Sequence, residues 1–120
     1  MIKLILGQVW RYATRSKDTG SSLRVLKIDD HFVDNIVHVE INNVRMVGRG
    51  RRDKIISISH MPFLYEIIEK AVVELVNYVA VDHIIDGYDY WLAAYNSGNA
   101  GVWRLDIKQA LDLTEETMKK

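Results

Sequence analysis

Three groups of residues have the types and spacing to do chemistry. The first is His60-Met61-Pro62-Phe63, read as the junction between a strand and a long helix. A histidine there can act as acid or base near neutral pH, and a helix start offers free N–H groups to an anion. Tyr12, Tyr65 and Glu66 are its candidate partners. No nucleophile or paired acid stands at a diagnostic spacing, so hydrogen-bonding the junction is weighed ahead of catalysis by His60. The second group is aromatic. On a helix Tyr88, Trp91 and Tyr95 stand at i, i+3 and i+7, on one side, while Trp10 and Tyr12 share a strand face. Such stripes usually pack a helix onto a sheet, yet Trp and Tyr also make contact surfaces with a polar handle. A pocket between sheet and helices would be lined by Trp10, Tyr12, His60, Trp91 and Tyr95. Tyr90, off the stripe, is expected to be exposed.

The third group is Gly48-Arg49-Gly50-Arg51-Arg52-Asp53-Lys54. Arg49, Arg51, Arg52 and Lys54 could grip phosphate, helped by flexible glycines. The segment lacks the Gly-Lys-Ser/Thr element of a phosphate loop, and a strand follows it where a helix would be required. A solvated hairpin tip is the plainer reading, with nucleic-acid binding behind it. Arg11, Arg15 and Arg24 could extend a basic face if the strand register allows. The remaining histidines make no metal site. His38 shares a strand face only with Glu40, and His83 among Asp82, Asp86 and Asp89 lacks calcium-loop spacing. No metal and no cofactor is expected.

The elements that must position these groups belong to one domain spanning 1–120, a normal size for a single core. With 48% apolar and 27% charged residues the composition is that of a globular chain. The absence of cysteine excludes disulfides and thiol chemistry. Sixteen basic and sixteen acidic residues cancel, which excludes a uniformly polyanion-binding surface. The balance is uneven along the chain. Residues 1–60 hold 11 Lys/Arg against 6 Asp/Glu, giving +5, and residues 61–120 hold 5 against 10, giving −5. That split suits different surface compositions of two halves, or opposed faces that meet across subunits. No membrane span or targeting segment is evident, and a cytoplasmic location is expected.

Alternation marks strands over Gln8–Thr14, Leu23–Ile28 and Ile36–Ile41, where Val37, Val39 and Ile41 oppose His38 and Glu40. The second is weakly patterned, because Leu23, Val25, Leu26 and Ile28 do not fall on one face. Asn42-Asn43 predicts a tight turn returning through Val44–Val47, and Ile55–Ser59 a short strand. The period then changes. Leu64, Ile67, Ile68, Ala71, Val72, Leu75, Val76 and Val79 form a stripe predicting a helix of about four turns, with Pro62 in its first turn. Val73 and Tyr78 leave the stripe, so this helix would either be buried centrally or offer a second apolar face to a partner. Further helices are expected over Tyr88–Asn96, ended by Gly98, and after a cap at Asp106, with a late short strand at Val102–Leu105. The fold class is α+β, a mostly antiparallel sheet over about residues 7–59 covered by C-terminal helices.

The segments Gly7-Gln8-Val9-Trp10-Arg11-Tyr12-Ala13-Thr14-Arg15, Ile36-Val37-His38-Val39 and His60-Met61-Pro62-Phe63, with Gly87-Tyr88 and Trp91 and then Gly101-Val102-Trp103, form a pattern. It resembles that of a family of small uncharacterised bacterial proteins, some carried as integron gene cassettes. The resemblance implies no activity and no catalytic residue. It directs attention to Trp10, Tyr12, Arg15, His38 and His60, and Arg15 joins Trp10, Tyr12, His60, Trp91 and Tyr95 as a candidate ligand contact.

The favoured expectation is a non-enzymatic binding module acting as a homo-oligomer, with an aromatic-lined site for a small molecule or protein. The alternatives are a small enzyme using His60 and a nucleic-acid binder using the basic loop. The enzyme would require His60 in a solvent-reachable cleft within hydrogen-bond reach of a second polar group, and a fully buried His60 bonded only to backbone would remove it.

Overall fold

Alternating apolar residues in the first half of the chain pair into an antiparallel sheet. The computed structural model describes residues 3–30, 34–82, 85 and 87–119. β1 (Gln8–Tyr12), β2 (Ser22–Asp29), β3 (Ile36–Val47) and β4 (Asp53–Leu64) follow one another, and β5 (Val72–Tyr78) closes the other side of β1. The five strands lie in the order β4-β3-β2-β1-β5, every neighbour antiparallel. Three helices complete the α+β fold: α1 (Tyr65–Ala71), α2 (Tyr88–Asn96) and α3 (Ile107–Met118). Asp106 caps α3 by accepting from the Gln109 N–H at 2.9 Å, and Gly98 past the end of α2 has φ 81°. Both were expected from the residue types.

The four-turn helix expected after residue 64 is not formed. α1 ends at Ala71, and Val72–Tyr78 becomes the edge strand beside β1. Its apolar spacing fits a helix, but Val72, Val73 and Val76 are β-branched, and β1 needs a partner on its open edge. Pairing with β1 outweighs the local helix preference. The Pro62 segment changes with it. β4 runs on through His60–Leu64, so Pro62 sits in an edge strand, where its missing N–H removes no ladder bond to a second neighbour. The late strand shrinks to one parallel bridge between Phe63 and Trp103.

Among the register shifts of the sheet, one in β3 and one in β2 set which of their residues share a face, and a further one in β4, between Ile58 and Met61, lies beside His60. Asn42-Asn43 does not turn the chain; β3 continues through it, with the extra residue absorbed between Ile41 and Val44 and Asn43 at φ 59°. In β2 the register shifts between Val25 and Lys27, leaving Leu26 as the extra residue. Leu23, Val25 and Ile28 therefore all reach the main core, and Lys27 and Asp29 turn to the opposite face with His38. The core lies between the sheet and α1 and α3, where Leu23, Val39, Ile41, Phe63, Ile68 and Leu111 are wholly buried. Each such side chain contributes about 1.5–3 kcal/mol. α2 covers one end of the other face.

Candidate functional site

His38 and His60 lie on adjacent strands and project from the same face, because His38 pairs with Pro62 and side chains two apart share a side. Their rings stack with centroids 4.9 Å apart, and His38 Nδ1 lies 2.7 Å from His60 Nε2. At the far side of His38, Nε2 lies 2.8 Å from Asp29 Oδ2, which also accepts from the Tyr88 hydroxyl at 2.9 Å. Asp29 and His38 are buried; His60 is half-buried. α2 lays its aromatic side over the pair: Tyr88 and Trp91 meet the His38 ring edge-on at 4.9 and 4.8 Å, and Tyr95 stacks on Trp91. Trp91 is held by its indole N–H donating to the Gly101 carbonyl at 2.9 Å. Lys27, across from His38 in the ladder, places its ammonium 5.1 Å from the Tyr88 ring centre.

Donor and acceptor counting fixes the protons. An ionised Asp29 carboxylate only accepts, so a neutral His38 carries its proton on Nε2. Its Nδ1 is then a lone pair, which requires His60 to donate from Nε2. His60 Nδ1 is left as a lone pair at the half-exposed end of the chain of bonds. Burial lowers the pKa of His38, opposed by its hydrogen bond to Asp29 and by that carboxylate's charge. Burial, and then the neighbouring His38, lower His60 to about 4. Burial and the Asp29 hydrogen bond raise Tyr88 above its ordinary value. Both rings are thus neutral at pH 7, as the assignment needs.

The other expected site residues are elsewhere. Trp10 and Tyr12 belong to the main core on the α1/α3 face, so no pocket joins them to His60, Trp91 and Tyr95. The Trp10 indole N–H donates to Gln8 Oε1 at 3.1 Å, and Tyr12 shares a 2.7 Å bond with Ser21; burial pushes the Tyr12 hydroxyl to about 12. Of the expected partners of His60, Tyr12 is therefore taken, the Tyr65 hydroxyl accepts from the Leu4 N–H at 2.9 Å, and Glu66 is exposed. Arg15 is buried in a structural network, pairing with Asp18 at 2.6 Å and with Asp112 and Glu115 at 3.0 Å while donating to the Arg45 carbonyl. Lys17 and the Val47 N–H also bind Glu115, which ties α3 to the β3 end. Arg15 has no donor set to spare for a ligand.

The basic loop forms the tip of the β3–β4 hairpin as a tight helical turn over Arg49–Arg51, with Gly50 at φ 77°. Arg49, Arg52 and Lys54 are exposed there; the Arg51 side chain lies outside the described part. The register neutralises the proposed basic face, since Arg24 pairs with Glu40 at 3.3 Å and Arg11 with Glu74 at 3.6 Å. Much of the charge split is likewise met inside one chain, by Arg15 and Lys17 against α3. His83 and Asp86 lie outside the described residues. Among the described residues no three His, Asp or Glu side chains converge as a metal site, and no helix is long and apolar enough to cross a membrane.

Tyr90 is exposed as expected, at 84%. The second apolar face expected of a long helix becomes the outer rim of β5. Val73, Leu75, Val76 and Tyr78 are exposed there at 70, 51, 44 and 63%, with Ile5, Leu6 and Val79 beside them. Sequence reasoning placed Tyr88 on the aromatic stripe but left it out of the pocket lining, and it missed Asp29 and the pairing of His38 with His60. The signal for them was the broken alternation around Leu26, which marks a bulge and so the face of Asp29. No family model, curated protein or solved structure matches this chain.

Proposed function

We propose that this chain is a binding module that acts as a homo-oligomer, its copies joined along the rim of β5. The observation that carries the reading is the apolar edge formed by Ile5, Leu6, Val73, Leu75, Val76, Tyr78 and Val79. It exposes on the order of 700 Å² per copy, close to the roughly 800 Å² that each partner contributes to a standard interface. Edges of this kind are normally blunted by charge. The opposite edge, β4, exposes Ile55 among the polar Asp53, Lys54, Ser57 and Ser59, whereas β5 carries a single charge, Glu74, in a run of apolar residues. A second copy is the favoured occupant because the exposed apolar area is close to what each partner of a stable dimer contributes, and the pairing of Arg11 with Glu74 inside one chain leaves the rim without an unpaired charge to oppose its own copy. Bulges at Val73 and Val76 interrupt the β5 edge, so the contact rests on side-chain packing more than on a continued ladder. The cytoplasmic location and the likeness to cassette-borne proteins stay part of the proposal.

Light scattering after size exclusion tests it. The wild type is expected to run as a dimer or larger at tens of micromolar, and Leu75→Lys as a folded monomer. A monomeric wild type at that concentration refutes the reading.

A further inference from the structure

We infer that Asp29, His38 and His60 form a proton relay whose open end, His60 Nδ1, serves as a base toward a small planar molecule with a weakly acidic proton, held against Tyr88. The relay stands on geometry. Two contacts of 2.7 and 2.8 Å run in line from His60 through His38 to Asp29, and the proton count leaves a lone pair at Nδ1. A purely structural histidine needs only the Asp29–His38 bond. The second ring extends that bond from the buried carboxylate to the half-exposed surface.

Space and surroundings select the ligand. Among the described residues His60 Nδ1 has no hydrogen-bond partner. Its neighbour at the start of α2 is Gly87, where an added Cβ would stand 4.0 Å from that nitrogen. Gly87 itself is set by its backbone, at φ 77°, and its small size places no side-chain atom against that nitrogen. The rings of Tyr88 and Trp91 lie 6.2 Å from the His60 ring, nearly edge-on; Trp91 is buried, and the partly exposed Tyr88 is the apolar wall a flat molecule can reach. Lys27 brings a positive charge to the same face, over the Tyr88 ring. His60 is the catalytic residue in this scheme. His38 and Asp29 are positioning residues that hold its ring in the Nε2–H tautomer and stabilise the imidazolium formed.

The probe is 5-nitrobenzisoxazole, whose ring opening reports a base beside an aromatic wall. His60 Nδ1 takes the carbon-bound proton; the C–H electron pair becomes part of a nitrile as the N–O bond breaks. The ring oxygen leaves as a coloured phenolate, and the proton passes from His60 to water. The wild type is expected to exceed His60→Ala and His60→Gln by about tenfold to hundredfold. His60→Gln, checked by circular dichroism, guards against a folding defect. Asp29→Asn should lower the rate and shift the His60 ring proton from Nε2 in long-range nitrogen–proton spectra. Equal rates for wild type and His60→Gln, or a wild-type His60 proton on Nδ1, would overturn the inference. Leu75→Lys should keep the rate, so failure here is separable from failure of self-association.

Discussion

Lowering the pH from 8 to 5 should loosen this fold, and the effect should pass through His60. The folded chain holds His60 at about 4, against about 6.5 for a free histidine. The unfolded chain therefore takes up the proton first as pH falls. The His60 contribution is fully present above about 6.5 and is lost progressively down to about 4. Between pH 8 and pH 5 the two titration curves differ by about 2 kcal/mol. Because the ring is only half-buried, solvent screening reduces this to about 1 kcal/mol. His38 is displaced in the same direction and adds to the loss. Burial pushes Glu115 up, but Lys17, the Val47 N–H and Arg15 together hold it below its ordinary value. Its contribution disappears at more acid pH, outside this window. The assay is urea unfolding followed by tryptophan fluorescence at pH 8, 6.5 and 5. Using Leu75→Lys keeps subunit association from contributing to apparent stability. His60→Gln in that background should lose about 1 kcal/mol less than its parent between pH 8 and 5. Equal losses would refute the desolvated neutral His60 on which the reasoning rests.

Other perturbations test the scaffold. Glu115→Gln removes the charge that Arg15 and Lys17 share and should cost about 3 kcal/mol in urea unfolding, since it strips a buried ion pair. Gly7→Ala forces a side chain onto φ 90° and a Cβ within 2.9 Å of the Val79 carbonyl. A loss of about 2 kcal/mol is expected, measured in the same way. Asp106→Ala removes the α3 cap and should cost about 1 kcal/mol, with earlier amide exchange in the first turn of α3.

The fold class was legible because its signals are local. Alternation around Val37, Val39 and Ile41, the Asp106 cap and the Gly98 stop each depend on a few neighbouring residues. The segment after Leu64 was not legible in the same way. Its apolar residues satisfy a helical period, while its valines satisfy a strand, and only the empty edge of β1 decides between them. The basic loop was readable as a hairpin tip, but the neutralisation of Arg11 and Arg24 depends on which acid lies opposite. That is a matter of register. His60 could be ranked as a candidate from its chemical type alone. Its true partner could not, because His38 reads as an outward-facing residue unless α2 is known to cover it.

The sequence by itself determined an antiparallel α+β domain without thiols, with a candidate histidine, an aromatic helix and apolar residues in surplus of one core. Those properties follow from composition and short-range periodicity. Tertiary structure alone decided that Arg15 is consumed by Asp18 and Glu115, that β5 exposes the surplus, and that Asp29, His38 and His60 form one hydrogen-bonded line. Each of these depends on residues distant in sequence meeting across a sheet. A single extra residue in β2, at Leu26, turns Asp29 toward His38, because side-chain direction in a strand reverses at every step.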